Sequence, residues 1–289
     1  MSILKKVLKN NENLYYAFSN KKVIFGLVIF SAVILLAIIG PMITPYGYEE
    51  YAGVGYQSPS KDHFFGTTLF GQDVFTRTVH GLRMTLKVGF FAGSIAAILG
   101  CVIGFISGYY SGTLLDEGLM MITNLFLTLP TIPLIVTLTA FMEYRGMFIL
   151  SLLVGVTNWP WVARAVRSQT LAIKNTEYVN LSKISSVSVF KIIRQDVAAN
   201  MFSYVFMVFI ILFQGTILAA VGLEFLGLGP TRGISLGLVI RTAVNWNAVE
   251  LGMWWWAILP GAVLTILIIS LYFVNTGLDQ VFNPRLREM

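Results

Sequence analysis

Six stretches of this 289-residue chain contain no Asp, Glu, Lys, Arg or His: residues 23–48, 88–115, 118–142, 146–163, 197–223 and 251–278, which run 26, 28, 25, 18, 27 and 28 residues. A helix rises about 1.5 Å per residue, so ~20 apolar residues cross a hydrocarbon core about 30 Å thick. Charged residues are 12% of the chain and hydrophobic ones 56%, whereas a soluble domain carries about 25% charged. The pattern predicts an all-α, polytopic membrane protein with six transmembrane helices.

The net charge of +6 does not point to nucleic acid, because the basic residues lie between and beyond the apolar stretches, where they set topology. Lys5, Lys6, Lys9, Lys21 and Lys22 precede the first stretch and predict a cytoplasmic N-terminus. That stretch is too long for the core of a signal peptide and lacks a small-x-small site before Pro41 and Pro45, so a retained span is expected. Alternating six spans then places 13 Lys and Arg inside and 7 outside, with both termini cytoplasmic. The organisation read from this is a cytoplasmic segment 1–22, a first span 23–48, an extracellular segment 49–87 and a five-helix core 88–289 with a cytoplasmic loop at 164–196.

Signatures of chemistry are missing from the chain. It has no G-x-x-x-x-G-K-[ST] loop to cradle ATP phosphates, no H-E-x-x-H and no G-x-S-x-G. His63 and His80 are dispersed, and the lone Cys101, inside an apolar run, is expected to be a packing residue. Neither an enzyme, a metal site nor a cofactor is predicted. Ion-coupled transporters keep ionisable relay groups within the membrane, and none lies within these runs. The remaining reading is a pathway driven by a partner. A self-sufficient secondary transporter or channel, and a structural assembly protein, are the competing classes.

Three features within the spans stand out. Gly93, Gly100, Gly104 and Gly108 put a smooth face on the second, which suits close helix packing. The third contains Leu129-Pro130-Thr131-Ile132-Pro133, which removes backbone donors and predicts a bend or break. Irregular backbone at membrane depth is tolerated inside protein or beside a cavity, so Thr128, Pro130, Thr131 and Gln214 are the candidate pathway-lining residues. Packing at the bend, and a bond from Gln214 to a neighbouring helix, are the alternatives. Trp254-Trp255-Trp256 is expected to form an aromatic belt at the outer interface. In the loop 164–196, Val179, Ile184, Val187 and Phe190 alternate with Lys183, Lys191 and Arg194. Helical spacing makes this either an interfacial helix on anionic lipid or a helix that docks into another protein's groove.

Four segments together resemble one family. They are Phe65-Gly66-Thr67-Thr68 through Gln72-Asp73 to Arg77, continued by His80-Gly81-Leu82-Arg83-Met84-Thr85-Leu86; Glu177-Tyr178-Val179 through Asn200; Phe225-Leu226-Gly227-Leu228-Gly229; and Pro260-Gly261 with Gly277-Leu278-Asp279 and Asn283-Pro284-Arg285-Leu286-Arg287. Their order and spacing are similar to those of the C-type permease subunits of dipeptide, oligopeptide and nickel importers of the ATP-binding-cassette class. Departures lie at Thr68, Gln72, Asn180-Leu181-Ser182, Ser186, Asp196, Ala199 and Ile234-Ser235-Leu236-Gly237. At Ser186 the family has glycine, which takes a left-handed turn readily, so a different turn is expected there.

The resemblance implies a heterodimer of two such permeases in a prokaryotic plasma membrane, with two cytoplasmic ATPase subunits that bind ATP and Mg and an extracellular solute-binding protein. It makes 177–190 the coupling helix. Val179, Ile184 and Val187 would then fill the ATPase groove, Lys183 and Lys191 would set the register, and Glu177, Asn180, Ser186 and Phe190 would belong to the same docking surface. Motion would reach the outer gate by rigid-body rocking. Peptides, oligosaccharides, metal chelates and nickel are all cargoes of such importers.

Overall fold

The computed structural model describes residue 16 and residues 18–282; Lys5, Lys6 and Lys9 and the terminal Asn283–Arg287 segment lie outside the described residues. Nine helices of eight residues or more are found among them. These are α1 (Lys21–Ile43), α2 (Val74–Tyr109), α3 (Leu114–Thr128), α4 (Thr131–Ala140), α5 (Met147–Lys174), α6 (Glu177–Ile184), α7 (Phe202–Leu223), α8 (Leu236–Asn245) and α9 (Trp254–Phe282). No strand forms among the described residues; a single antiparallel bridge joins Thr67 and Asp73. Helices α1, α2, α5, α7 and α9 are each long and apolar enough to span a bilayer. Helices α3 and α4 form an apolar pair bent by 81°, and a sixth span results if the pair crosses as one. Leu129 and Pro130 both have extended backbone at the break. The cause is local, since proline disfavours helical backbone at the residue before it and offers no N–H.

The chain divides into two compact units, with boundaries at Gly89/Phe90 in α2 and Thr216/Ile217 in α7. In the unit holding the ends of the chain, α1 and α9 run antiparallel at close range. A Cβ on Gly26 would lie 2.7 Å from Val274 N, and Gly277 faces Val23. Phe25 meets Phe273 edge to face at 5.3 Å. Asn20 caps α1 by accepting from Lys22 N at 2.9 Å, and it donates to Gln280 at 3.2 Å.

The second unit is built on α2 and α5, which run parallel. Added Cβ atoms on Gly100, Gly104 and Gly108 would fall 2.6 Å from Val162, 2.7 Å from Val166 and 2.5 Å from Thr170 in turn. Gly93 lies against Phe213 of α7. The glycine face is therefore a packing device, since any larger residue would push the backbones apart.

Two expectations are corrected. The tryptophans do not form a belt: Trp255 and Trp256 are buried with Val74, Ala243, Ala248 and Met253, and Trp254 alone is exposed. Trp255 instead donates its indole N–H to Thr67 O at 3.1 Å, anchoring the segment between α1 and α2, which the sequence reading places outside. Nor do the helices end where the charge-free runs end. Helix α2 starts at Val74 and so contains Arg77, His80, Arg83 and Lys87, while α3 contains Asp116 and α5 contains Arg164 and Arg167. Helix α7 runs on through the π-turn Glu224–Leu228, which buries Glu224 beside Ser235 and Gly237 at the N-terminal end of α8.

Candidate functional site

The connector after α5 folds as helix, turn, helix. Helix α6 carries Glu177 in its first turn and Lys183 in its last, each complementing the helix dipole. It stops by the usual left-handed closure: Val187 N donates to Ser182 O at 3.1 Å, and Ser186 N to Lys183 O at 3.2 Å. Ser186 takes the left-handed conformation, φ 57°, that the closure needs. The turn is thus kept without glycine, at the steric cost that a Cβ brings there. The chain then continues through the short turn Val189–Lys191 and a π-helix, Ile192–Ala198, to α7.

Helix α6 has one face tied to its own chain. Val179 is 0% exposed, and Lys183 donates its Nζ to Lys174 O at 2.9 Å, capping the C-terminal end of α5, and to Asn180 Oδ1 at 3.1 Å. The opposite face is apolar and open: Leu181 is 64% exposed and Ile184 79%, and beyond the turn Phe190 is 75% exposed. Of the residues expected at the docking surface, Glu177, Asn180, Ile184, Ser186, Phe190 and Lys191 are exposed and Val187 is half-buried. Val179 is corrected, because its side chain is sealed inside this chain and cannot enter a partner's groove. Lys183 is likewise engaged within the chain. Leu181, passed over within the departure Asn180-Leu181-Ser182, belongs to the exposed apolar face. Its spacing of three from Ile184 was the available signal.

A polar cluster lies beside this connector. Arg167 donates Nε to Asp116 Oδ1 and Nη2 to Asp116 Oδ2, both at 2.8 Å. Ser107 also donates to Oδ1, and the Gly112 amide to Oδ2 at 3.0 Å. Asp116 is buried and fully partnered, and removing Arg167 would leave its carboxylate held by Ser107 and the Gly112 amide alone. Further along α5, Arg164 donates to Asn124 Oδ1 at 2.7 Å, and Lys174 to Ser111 Oγ at 2.8 Å. Arg164, Arg167 and Lys174 fall on one side of a helix, and their sequence spacing is the signal that identifies this face.

Thr128, Pro130 and Thr131 are brought together at the break between α3 and α4. Thr128 and Pro130 are exposed and Thr131 is half-buried. The Thr128 hydroxyl is returned to its own helix, donating to Leu125 O at 2.7 Å. Gln214 is half-buried on α7, between the buried Phe213 and the exposed Gly215.

The family described as "Binding-protein-dependent transport system inner membrane component" matches residues 100–288, and "N-terminal TM domain of oligopeptide transport permease C" matches residues 15–63. This chain belongs to the binding-protein-dependent inner-membrane transport components. It is 32% identical over 271 residues to the dipeptide transport system permease protein DppC of Bacillus subtilis (strain 168), covering 93% of this chain and 83% of that one. Similarity to DppC of Alkalihalophilus pseudofirmus is 31% over 278 residues, covering 93% and 88%. To the oligopeptide permease OppC of Bacillus subtilis (strain 168) it is 29% over 278 residues, again 93% and 88%. The chain is therefore a multi-pass membrane permease subunit of an ATP-driven importer, a transport component and not the ATPase.

Proposed function

We propose that this permease subunit forms half of the translocation pathway of a peptide importer and receives its power stroke through α6. The observation that carries the reading is the open apolar face of Leu181 and Ile184 on a helix whose other face is fixed by Val179 and Lys183, with the exposed Phe190 just beyond the turn that follows it. A helix held in this way acts as a lever: force applied to the exposed side passes into α5 and does not dissipate in a loop. The occupant of that face is one of two cytoplasmic ATPase subunits, which close on ATP and Mg and move the connectors of this chain and of a second, homologous permease. A solute-binding protein delivers cargo at the opposite surface. Both termini lie on the ATPase side in this reading, which the lysine and arginine distribution supports.

Peptide is the cargo class because the relatives named above are peptide permeases. Thr128, Pro130, Thr131 and Gln214 are the pathway-lining positions in this reading. The extended backbone at Leu129 and Pro130 interrupts the helical hydrogen bonding of the span, and backbone groups freed in this way are suited to a cargo that is itself a chain of amides. Glu177, Asn180, Ser186, Val187 and Lys191 frame the docking surface around the three apolar residues.

The test is gentle purification of the tagged chain from its native membrane. Stoichiometric recovery of a second six-span permease and ATPases supports the reading, as does binding of a mixed dipeptide pool by the accompanying solute-binding protein. Recovery of the chain alone, with solute movement in liposomes that lack ATPases, establishes a secondary transporter or channel instead.

A further inference from the structure

The polar cluster at the ends of α2, α3 and α5 has an arrangement that packing alone does not require. Its bonds form an unbroken series: Lys183 on α6 to the last carbonyl of α5, Lys174 to Ser111, Arg167 to Asp116, and Arg164 to Asn124 within α3. Each link crosses from one element to another, and the central link is a two-bond fork that fixes orientation as well as distance. Gly112, at φ +81°, folds the turn so that its amide and Ser107 hold the carboxylate from the far side.

We propose that Asp116, Arg167, Lys174 and Lys183 form a polar strut joining α6 to α3 as one rigid body. They are positioning residues, through which displacement of the connector becomes displacement of the span that is broken at Pro130. The inference deepens the docking reading above, since an input at α6 is what the strut would transmit. The strut itself is a property of this chain and can be measured without a partner. A hinge would be built differently, with glycines and solvent-facing loops between α5 and α6. Here the two residues between them, Asn175 and Thr176, are spanned by the Lys183 bond, and Thr176 returns its hydroxyl to Ile173 O at 2.7 Å.

The experiment is pulsed electron-spin distance measurement with nitroxides at Ser188 and Ile122 in a Cys101→Ser background. It is made on the full chain in nanodiscs, then on the complete complex without nucleotide and trapped with ATP and vanadate. A narrow distribution, unchanged by trapping, is expected. Arg167→Lys and Asp116→Asn should at least double its width, with thermal midpoint and ATPase recovery serving as controls for folding. Lys174→Met, which strands no buried carboxylate, should broaden it less and keeps the test valid if the other variants unfold. Two results overturn the strut: a wild-type distance that shifts on trapping, or variants that leave the distribution narrow. Recovery of the chain without ATPases contradicts the docking reading and leaves the nanodisc result to decide the strut.

Discussion

The outer segment between α1 and α2 and the connector between α5 and α7 both join spans, yet they treat their side chains in opposite ways. The outer segment turns back on its own chain. Ala52 N and Gly71 O bond at 2.8 Å, Thr67 N and Gln57 O at 2.9 Å, and Trp255 reaches Thr67 O from α9. His63 pairs with Asp73 at 2.9 Å, while Asp73 also caps α2 by accepting from Thr76 N at 2.7 Å. Arg77 donates to Tyr48 O at 3.0 Å and to Gln72. The connector makes one tight anchor, Lys183 with Val179, and turns three large apolar side chains outward. The first region is scaffold that the chain completes by itself. The second is a surface whose hydrophobic area has to be covered from elsewhere, because water at that face costs about 25 cal/mol per Å² of apolar area.

If that contrast is real, damage to the two regions must separate into different phenotypes. The largest effect should come from Trp255→Ala, which empties a buried site under the outer segment and should destabilise the protein by about 3–5 kcal/mol. A lowered thermal midpoint in detergent checks it, with the surviving folded fraction still binding ATPases. Ile184→Asp should do the reverse: insertion and thermal midpoint unchanged, ATPase recovery down by ~30-fold, the equivalent of losing about 2 kcal/mol at an interface centre. Normal assembly in this variant would remove α6 from the docking role. Val179→Ala lies between the two, with a loss of about 1.5–3 kcal/mol of local stability and faster hydrogen exchange across 177–184 as its readout. The smallest effect is a gain. Ser186→Gly should relieve the left-handed strain and protect the same amides by about 0.5–1 kcal/mol, after the extra chain entropy of glycine is counted.

Much of the architecture was legible because the bilayer imposes so plain a rule. Runs without charge marked five continuous spans, Pro130 marked the bent pair, and Gly100, Gly104 and Gly108 marked a close helix contact. The rule reads run length and not helix length, which is why α2 began well before its charge-free run and Glu224 was missed beyond the end of another. The tryptophans misled for a related reason: composition places Trp near an interface but cannot say whether the outer segment folds over it. At the connector, the apolar spacing identified a helix, but Val179 and Leu181 exchanged roles. Two residues apart on a short helix lie on different faces, and which face meets the π-helix 192–198 is decided by tertiary packing. The Asp116–Arg167 fork was the least legible feature, since its partners are 51 positions apart.

The measurement that bears most directly on the account places a photo-crosslinking residue at Ile184 and, in a separate chain, at Val179, with irradiation in native membranes. The account predicts an adduct with an ATPase subunit from position 184 and none from 179, where the probe would be enclosed by its own chain. Adducts confined to lipid, or equal ATPase capture from both positions, would contradict it.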